Sequence, residues 1–519
     1  MWLLICVLLL PCLFLSAHCD RMVAAEGSLL LALPDPCLLL VLQRCAADDQ
    51  RSLFNASRSH SRLHQAAVLA LRSITLHLSQ QQQMDGVMVY LGKHSRHVNS
   101  LELSGDVRLM EDYEFEIEIP KFHLRELPQQ SQLSSLQLAH LCLQLQPSIH
   151  AQGVLGSAAV VAALKQLRLS DCQLLDDEED EALAAALSQL PAGLEHLSIC
   201  KLYYGCENRV SFSPSVLQQL QHLTHLELDS VDIVRADEAS PSLQPLQALT
   251  LLVDLRLGWL QDVVTSSMLS GMQRLTRLEL SDEIEPAALA GKTQLQHLCL
   301  SSCVILGGAA GVAQLLSDLQ PMQQLTHLNL HASLQVAGSH APVSTYAALT
   351  ASSKLQHLDI SSCTLPAGVW QHLFPTTQLS SLRAFDVTGT RQPPTGGFAE
   401  APEGSRLVSC CPSLRSLKMV SLRCSAALLV PLQGLSGLQT LHCQWDEATA
   451  GVVHAVCQLA GLRELVVWGS VRVKKEGSLL QLTQLQQLTM LHYRTPIRTG
   501  VHAPYWPNGS AHDLKLSGG

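Results

Sequence analysis

Aromatic residues make up only 4% of this chain and charged residues 15%, and Lys and Arg together number 34 in 519 residues. The cations are scattered and the net charge is −10. An extended nucleic-acid surface needs clustered positive charge to displace counterions from phosphates, so a DNA or RNA partner is not expected. No stretch has the continuous apolar length of a transmembrane helix; the most apolar run, Trp2 to Leu15, is short and broken by Pro11. Signatures of bond chemistry are missing too. No HExxH, GxSxG or CxxC occurs, and the adjacent Cys410 and Cys411 lack zinc-ligand spacing. Gly291, Lys292 and Thr293 end like a phosphate-binding loop, but the first glycine of that motif would fall at Pro286. With no nucleophile or base nominated, the expectation is a non-enzyme without cofactor or metal.

What is present is leucine, about 100 residues or close to one in five, within a hydrophobic content of 47%. That content excludes a disordered chain, and so much leucine with so few rings implies many similar small cores. The 17 cysteines are odd in number and follow no regular framework, so at least one stays free, which favours a reducing compartment. The expected localisation is cytoplasmic. The alternative is secretion, because Trp2 to Leu15 followed by Ser16, Ala17, His18 and Cys19 resembles a signal peptide, although no positive residue precedes it. Asn55-Ala56-Ser57 and Asn508-Gly509-Ser510 are glycosylation sequons in that case, and a membrane role arises only if the leader works.

The pattern LxxLxL recurs from Leu133 almost to the C-terminus. Its first leucines are Leu133, Leu164, Leu194, Leu223, Leu252, Leu275, Leu295, Leu325, Leu355, Leu379, Leu414, Leu438, Leu462 and Leu485, with a degenerate earlier copy at Val98, Leu101 and Leu103. The second and third leucines alternate with polar residues, which predicts a short strand that buries the leucines and exposes their neighbours. One copy cannot bury its own apolar face, so the copies must stack with parallel strands lining a concave wall. Segments such as Asp176 to Leu190 and Ala309 to Leu319 have helical spacing and should form the opposite side. Three copies extend to LxxLxLxxCxL, with Cys172, Cys303 and Cys363 placed as buried weak donors facing backbone carbonyls at the turn after the strand. This resembles the cysteine-containing class of leucine-rich repeats. The fold expected is an α/β leucine-rich-repeat solenoid, or horseshoe, with parallel strands on the concave face.

Before the array, residues 33–63 resemble an F-box. Leu33 and Pro34 match its opening Leu-Pro, Val41 and Leu42 its paired aliphatics, Asp49 its acid, and Ala56, Ser57 and Arg58 its closing turn; Gln50 and His60 depart from it, standing where leucine and tryptophan are usual. The resemblance implies docking to the adaptor subunit of an SCF-type ubiquitin ligase through Leu33, Pro34, Val41, Leu42, Leu53, Ser57 and Arg58, with an unidentified protein substrate held on the concave face. Read from the residues alone, the same stretch is a pair of helices that caps the open end of the solenoid, as repeat arrays require. A plain interaction or scaffold protein, cytosolic or cytoskeletal, is therefore the alternative, and a secreted recognition protein the third.

The organisation expected is an apolar leader at 1–19, an F-box-like helical region at 28–75, the array at 98–495 and a tail at 496–519, with Gln80 to Gln83 as a polar spacer. Two groups on the predicted wall stand out. His196, His225, His297, His327 and His357 share one position, just before the second leucine, and read as repeat duplication or as a metal or pH-sensing stripe. The later copies offer Phe385, Val420, Val466, Trp468 and Leu491 as an apolar partner-binding cluster, unless the tail after Pro496 folds back over them as a cap.

Overall fold

The computed structural model describes residues 72–105, 120–123, 132–144, 163–174, 190–201, 203–204, 208–209, 211–212, 214–233, 243–260, 263–335, 340–374, 379–391, 403–423, 426–444, 450–468, 487–494 and 512–514, with single positions at 38, 42, 61, 65, 66, 187 and 485. The leader, both sequons and six of the seven adaptor-contact candidates (Leu33, Pro34, Val41, Leu53, Ser57 and Arg58) lie outside these residues, as does most of Asp176 to Leu190. The chain divides into two compact units, residues 1–234 and 235–519.

Among the described residues, the main sheet of the first unit has six parallel strands, Ser73–Leu78, Ser100–Gly105, Ser135–Ala139, Gln166–Ser170, His196–Cys200 and His225–Asp229, each paired with the next. That of the second has ten, from Asp254–Gly258 through Arg277–Leu280, His297–Cys299, His327–Asn329, His357–Asp359, Ala384–Asp386, Ser416–Arg423, Thr440–Gln444 and Glu464–Trp468 to Met490–Arg494. The register is one leucine on the next: Leu278 faces Leu255 and Leu298, and Leu328 faces Leu358. Side chains alternate along a strand, so this register puts every second residue inward. Leu226, Leu228, Leu298, Leu328 and Leu358 are all essentially inaccessible. Each unit is a leucine-rich-repeat solenoid, as the spacing predicted.

Three boundaries differ from the sequence reading. The array begins one strand earlier than residue 98: Ser73–Leu78 pairs with Ser100–Gly105, and Leu71, Ile74 and Leu76 are an LxxLxL copy with isoleucine in the middle. The polar spacer Gln80 to Gln83 is instead the first turn of a 14-residue helix, Gln81–His94, with Met84, Val87 and Leu91 on its buried face. Glutamine is a good helix former, and the Gln83 side chain accepts the Ser79 backbone N–H at 2.8 Å, so polarity here marks a helix start. At the other end, His512–Leu514 pairs antiparallel with Met490–Arg494, so part of the tail covers the last sheet edge.

Two repeat frames are shifted by three residues. Phe385 pairs with Leu358 and Leu417, so the first leucine of its copy is Leu382 and not Leu379. Leu491 pairs with Leu465, so that copy starts at Leu488 and not Leu485. In both copies a leucine also lies three residues upstream, inside the buried preceding turn, and the two LxxL frames look alike in sequence.

Behind the strands, the helix expected over Ala309 to Leu319 is present as Gly308–Leu319. Gly311 is required there, because a Cβ would meet the Leu306 carbonyl oxygen at 1.9 Å. Many other connections are 3₁₀ turns, such as Pro214–Gln219, Gln244–Ala248 and Pro286–Leu289. Copies only 20 to 30 residues long leave few residues for the return path, and a 3₁₀ turn rises about 2.0 Å per residue against about 1.5 Å for an α-helix.

After nine of these strands the chain turns through a left-handed residue. His140, Asp171, Lys201 and Ser230 take this conformation in the first unit, and Trp259, Ser302, Ala332, Ser362 and Gly389 in the second. The next residue sits inside the turn. Cys303 Sγ donates to the Leu280 carbonyl and Cys363 Sγ to the Leu330 carbonyl, each at 3.0 Å; Cys172 Sγ lies 3.5 Å from the Leu138 oxygen and 3.4 Å from that of Ser170. Ser333 occupies the same place and donates its hydroxyl to the Leu300 and His331 carbonyls. Burial pushes the Cys172 and Cys363 thiols up to about 12 and raises that of Cys303, which keeps the donor proton in place. The expected consequence is that Cys363→Ser is nearly neutral, whereas Cys363→Ala leaves the Leu330 carbonyl with the Ser333 N–H alone and costs about 0.5–1.5 kcal/mol in denaturant unfolding. Equal stability of the two variants would show that the hydrogen bond is immaterial.

Candidate functional site

The residues left outward by the leucine register form aligned columns on the sheet face, and in the second unit these columns carry its polar chemistry. At the near end, Asp254 and Arg256 on one strand meet Arg277 and Glu279 on the next. Arg256 Nη2 lies 3.2 Å from Asp254 Oδ2, Arg277 Nε 3.9 Å from Asp254 Oδ1, and Arg277 also pairs with Glu279. Arg256 Nε is 4.0 Å from the second Glu279 oxygen. Two cations and two anions thus form a crossed, self-neutralising group. Its members are partly buried, so the pairs are less screened than ordinary surface bridges.

The histidine column follows directly. The rings of His297 and His327 stack at 5.3 Å and those of His327 and His357 at 5.9 Å; in the first unit His196 and His225 stack at 4.0 Å, 11° from parallel. Two of these rings have a defined tautomer. Thr326 Oγ1 donates its only proton to the Gln296 carbonyl at 2.9 Å, so its 3.0 Å contact with His327 Nδ1 requires the imidazole to donate. Thr224 Oγ1 does the same toward the Glu195 carbonyl and His225, at 3.1 and 2.9 Å. In their neutral forms both rings hold the proton on Nδ1 and keep the Nε2 lone pair.

Among the described residues, no group of three or more His, Cys, Asp or Glu is arranged to hold a metal ion. Burial also works against a near-neutral sensor at His297 and His327. Burial and the neighbouring Arg277 charge lower His297 to about 4, with Glu279 acting the other way, and His327 is lowered chiefly by burial and then by His357. His297 and His327 are thus held toward the neutral imidazole, aromatic, hydrogen-bonding groups in the row.

Further along, Asn329, Asp359 and Asp386 occupy the next outward column. Each carboxylate or amide oxygen accepts the backbone N–H two residues on, at 2.9 Å, and so closes its own turn. Lys418 Nζ lies 3.8 Å from Asp386, and Glu464 accepts from His442 at 2.9 Å. The five residues expected as an apolar partner cluster do not form one. Phe385 is a core residue, 1% exposed, packed edge-on against Trp370 and Phe374, and Leu491 belongs to the inward column. Both corrections follow from the frame shift. Val420, Val466 and Trp468 do fall on outward columns, but the two valines are at most 8% exposed and Trp468 is half-buried.

Near the N-terminus, Leu38 and Leu42 are helical, four residues apart and buried. Leu42, the one adaptor-contact candidate among the described residues, is only 4% exposed and packs inside the chain. The sequence reading missed the crossed ion group at Asp254 to Glu279, whose signal is a charge in both outward positions of two consecutive copies.

The His297 environment gives a signed pH dependence. Its folded pKa lies below the ordinary value of 6.5, so the unfolded chain binds the proton more tightly and this contribution to stability is lost as pH falls from about 6.5 toward 4. Between pH 7 and 4.5, His297→Asn should lose about 1–2 kcal/mol less stability than the wild type. Parallel stability curves for the two proteins would contradict the assignment.

No protein-family model matches the sequence, and no curated protein matches it. Similar solved structures include an internalin from Listeria monocytogenes, 17% identical, with 74% of this chain and 94% of that one covered at a TM-score of 0.45. A leucine-rich-repeat protein of Leptospira interrogans is 14% identical, with 80% and 99% covered at 0.47. The Arabidopsis receptor kinase HAESA, solved with the peptide hormone IDA and the co-receptor SERK1, is 14% identical, with 76% and 66% covered at 0.42. The assignment of the leucine-rich-repeat fold rests on the strand register described above, not on these likenesses.

Proposed function

We propose that this chain is a protein-recognition subunit that performs no bond chemistry itself and holds a protein partner on the outward face of its parallel sheets. The observation that carries this reading is the contrast between the two sides of each strand. Inward positions repeat as leucine, whereas outward positions change from copy to copy: an ion group at Asp254 to Glu279, imidazoles at His297 to His357, then Asp359, Asp386 and Lys418. Packing alone sets no demand on the outward side, and a non-repeating polar face on a rigid scaffold is what selective binding of a protein surface needs.

In its finer form, the proposal is a substrate receptor of an SCF-type ubiquitin ligase in the cytoplasm. The F-box-like residues Leu33, Pro34, Val41, Leu42, Leu53, Ser57 and Arg58 support the adaptor half, and the free thiols of Cys172, Cys200, Cys299, Cys303, Cys363 and Cys411 support a reducing compartment. One observation favours the scaffold alternative. Leu38 and Leu42 are buried within the chain, which is the behaviour of a capping helix. Co-purification from cells decides between them: the wild type should bring down the adaptor, and the Leu33→Ala, Pro34→Ala double variant should lose it while its thermal unfolding stays unchanged. Absence of adaptor from the wild type would leave the scaffold reading.

A further inference from the structure

The column immediately before the strands of the second unit holds a row of arginines. Arg383, Arg415 and Arg463 precede Ala384, Ser416 and Glu464, with Gln439 between the last two, and their backbone ladder fixes the alignment: the Arg383 carbonyl accepts from Arg415 and the Arg415 carbonyl from Gln439. The Gln439 carbonyl accepts from Arg463 in turn. All three arginine side chains are exposed, and among the described residues none forms an ion pair. The nearest acids in the adjoining columns are committed elsewhere, Asp386 to Lys418 and its own turn, Glu464 to His442 and Thr440. In a chain of net charge −10, three exposed arginines beside the single carboxylate of Glu464, which is bonded to a histidine and a threonine rather than to a cation, make a local excess of positive charge.

The row ends at a cavity. A pocket of about 330 Å³ opens beside Arg463, lined also by the polar residues Ser436, Gln439 and Gln487 and by Gly437, Ala460 and Gly461. Gly461 cannot be enlarged without strain, since a Cβ there would lie 2.9 Å from the Ser436 carbonyl oxygen; at Gly437 the nearest atom to a Cβ is 3.9 Å away.

We propose that this edge binds an acidic peptide segment of a partner protein, one carboxylate entering the pocket beside Arg463 and others pairing with Arg415 and Arg383. Guanidinium groups grip carboxylates through two parallel hydrogen bonds. Neighbouring strands lie about 4.8 Å apart, so the row spans roughly 14 Å, the length of an extended segment of four or five residues. Three cations are too few for a nucleic-acid track, which requires many phosphate contacts. The inference rests on the protein-binding half of the function proposed above and is independent of adaptor docking.

The test is fluorescence anisotropy of labelled hexaglutamate with the full-length chain at low and moderate salt, with labelled oligothymidylate as comparison. Binding that weakens with salt, falls about tenfold or more in the Arg383→Gln, Arg415→Gln, Arg463→Gln variant and falls again in Gly437→Val is expected, with circular dichroism melting unchanged. Unaltered hexaglutamate binding in the triple variant, or no binding by the wild type, overturns the proposal. So does tighter binding of oligothymidylate, which would make the row a nucleic-acid contact. Concentration-dependent self-association of the wild type that the triple variant loses would assign the row to a second copy instead. Adaptor co-purification is measured separately, so failure of either reading leaves the other standing.

Discussion

Everything in these two units depends on leucines that no single copy can bury. A strand such as His327–Asn329 shields nothing alone; Leu328 becomes inaccessible only because Leu298 and Leu358 flank it. A fully buried leucine stabilises by about 1.5–3 kcal/mol, and a slip of one residue would turn the whole column to solvent, so the register is fixed repeat by repeat. The outward chemistry inherits that register. Imidazoles one copy apart stack, and arginines one or two copies apart form a row, because leucines between them cannot be displaced.

The same constraint creates a cost at the turns. After nine strands the chain leaves through a left-handed residue, an unfavourable conformation for the eight non-glycine residues that adopt it, and it buries carbonyl oxygens as it does so. Two devices answer this. Asn329, Asp359 and Asp386 close the turn from the strand side with their own side chains, and Cys303, Ser333 and Cys363 donate from within. Hydroxyl and thiol are interchangeable because the position asks for a small group with one proton to give. Thr390 occupies the corresponding place in the next copy, wholly buried, with no partner for its hydroxyl.

How far the sequence was legible follows from these rules. The strands, their inward face, the thiol donors and the alignment of the histidines could be read from LxxLxL, because period two and the repeat length are sufficient to define them. The frame failed at Leu379 and Leu485, where the buried turn before the strand supplies a second leucine at the same spacing, and Phe385 was consequently placed on the wrong side. The first strand was missed because Ile74 stands for leucine. The arginine row was hidden for another reason. Arg383, Arg415 and Arg463 are separated by 32 and 48 residues in sequence, and only the alignment of copies makes them neighbours. The F-box-like segment stands apart: only Leu42 of its candidate contacts lies among the described residues, and there packing within the chain competes with docking.

Electrostatics separates the second unit's face from its edge. On the face, most charges are answered within a strand or two, Asp254 and Glu279 by Arg256 and Arg277 and Asp386 by Lys418, while Asp359 and Glu464 are held by hydrogen bonds from Ser361 and His442. Between them, His297 and His327 are pushed toward the neutral form chiefly by burial. Such a face exerts little field beyond a Debye length of about 8 Å, and a partner would be selected there by shape and hydrogen bonding at contact. The arginine edge, unanswered from within, projects its field further and biases the approach of an acidic partner before contact is made. Raising the salt concentration should therefore slow association through the edge while leaving dissociation from the face nearly unchanged, a division that follows from where the charges are paired and where they are not.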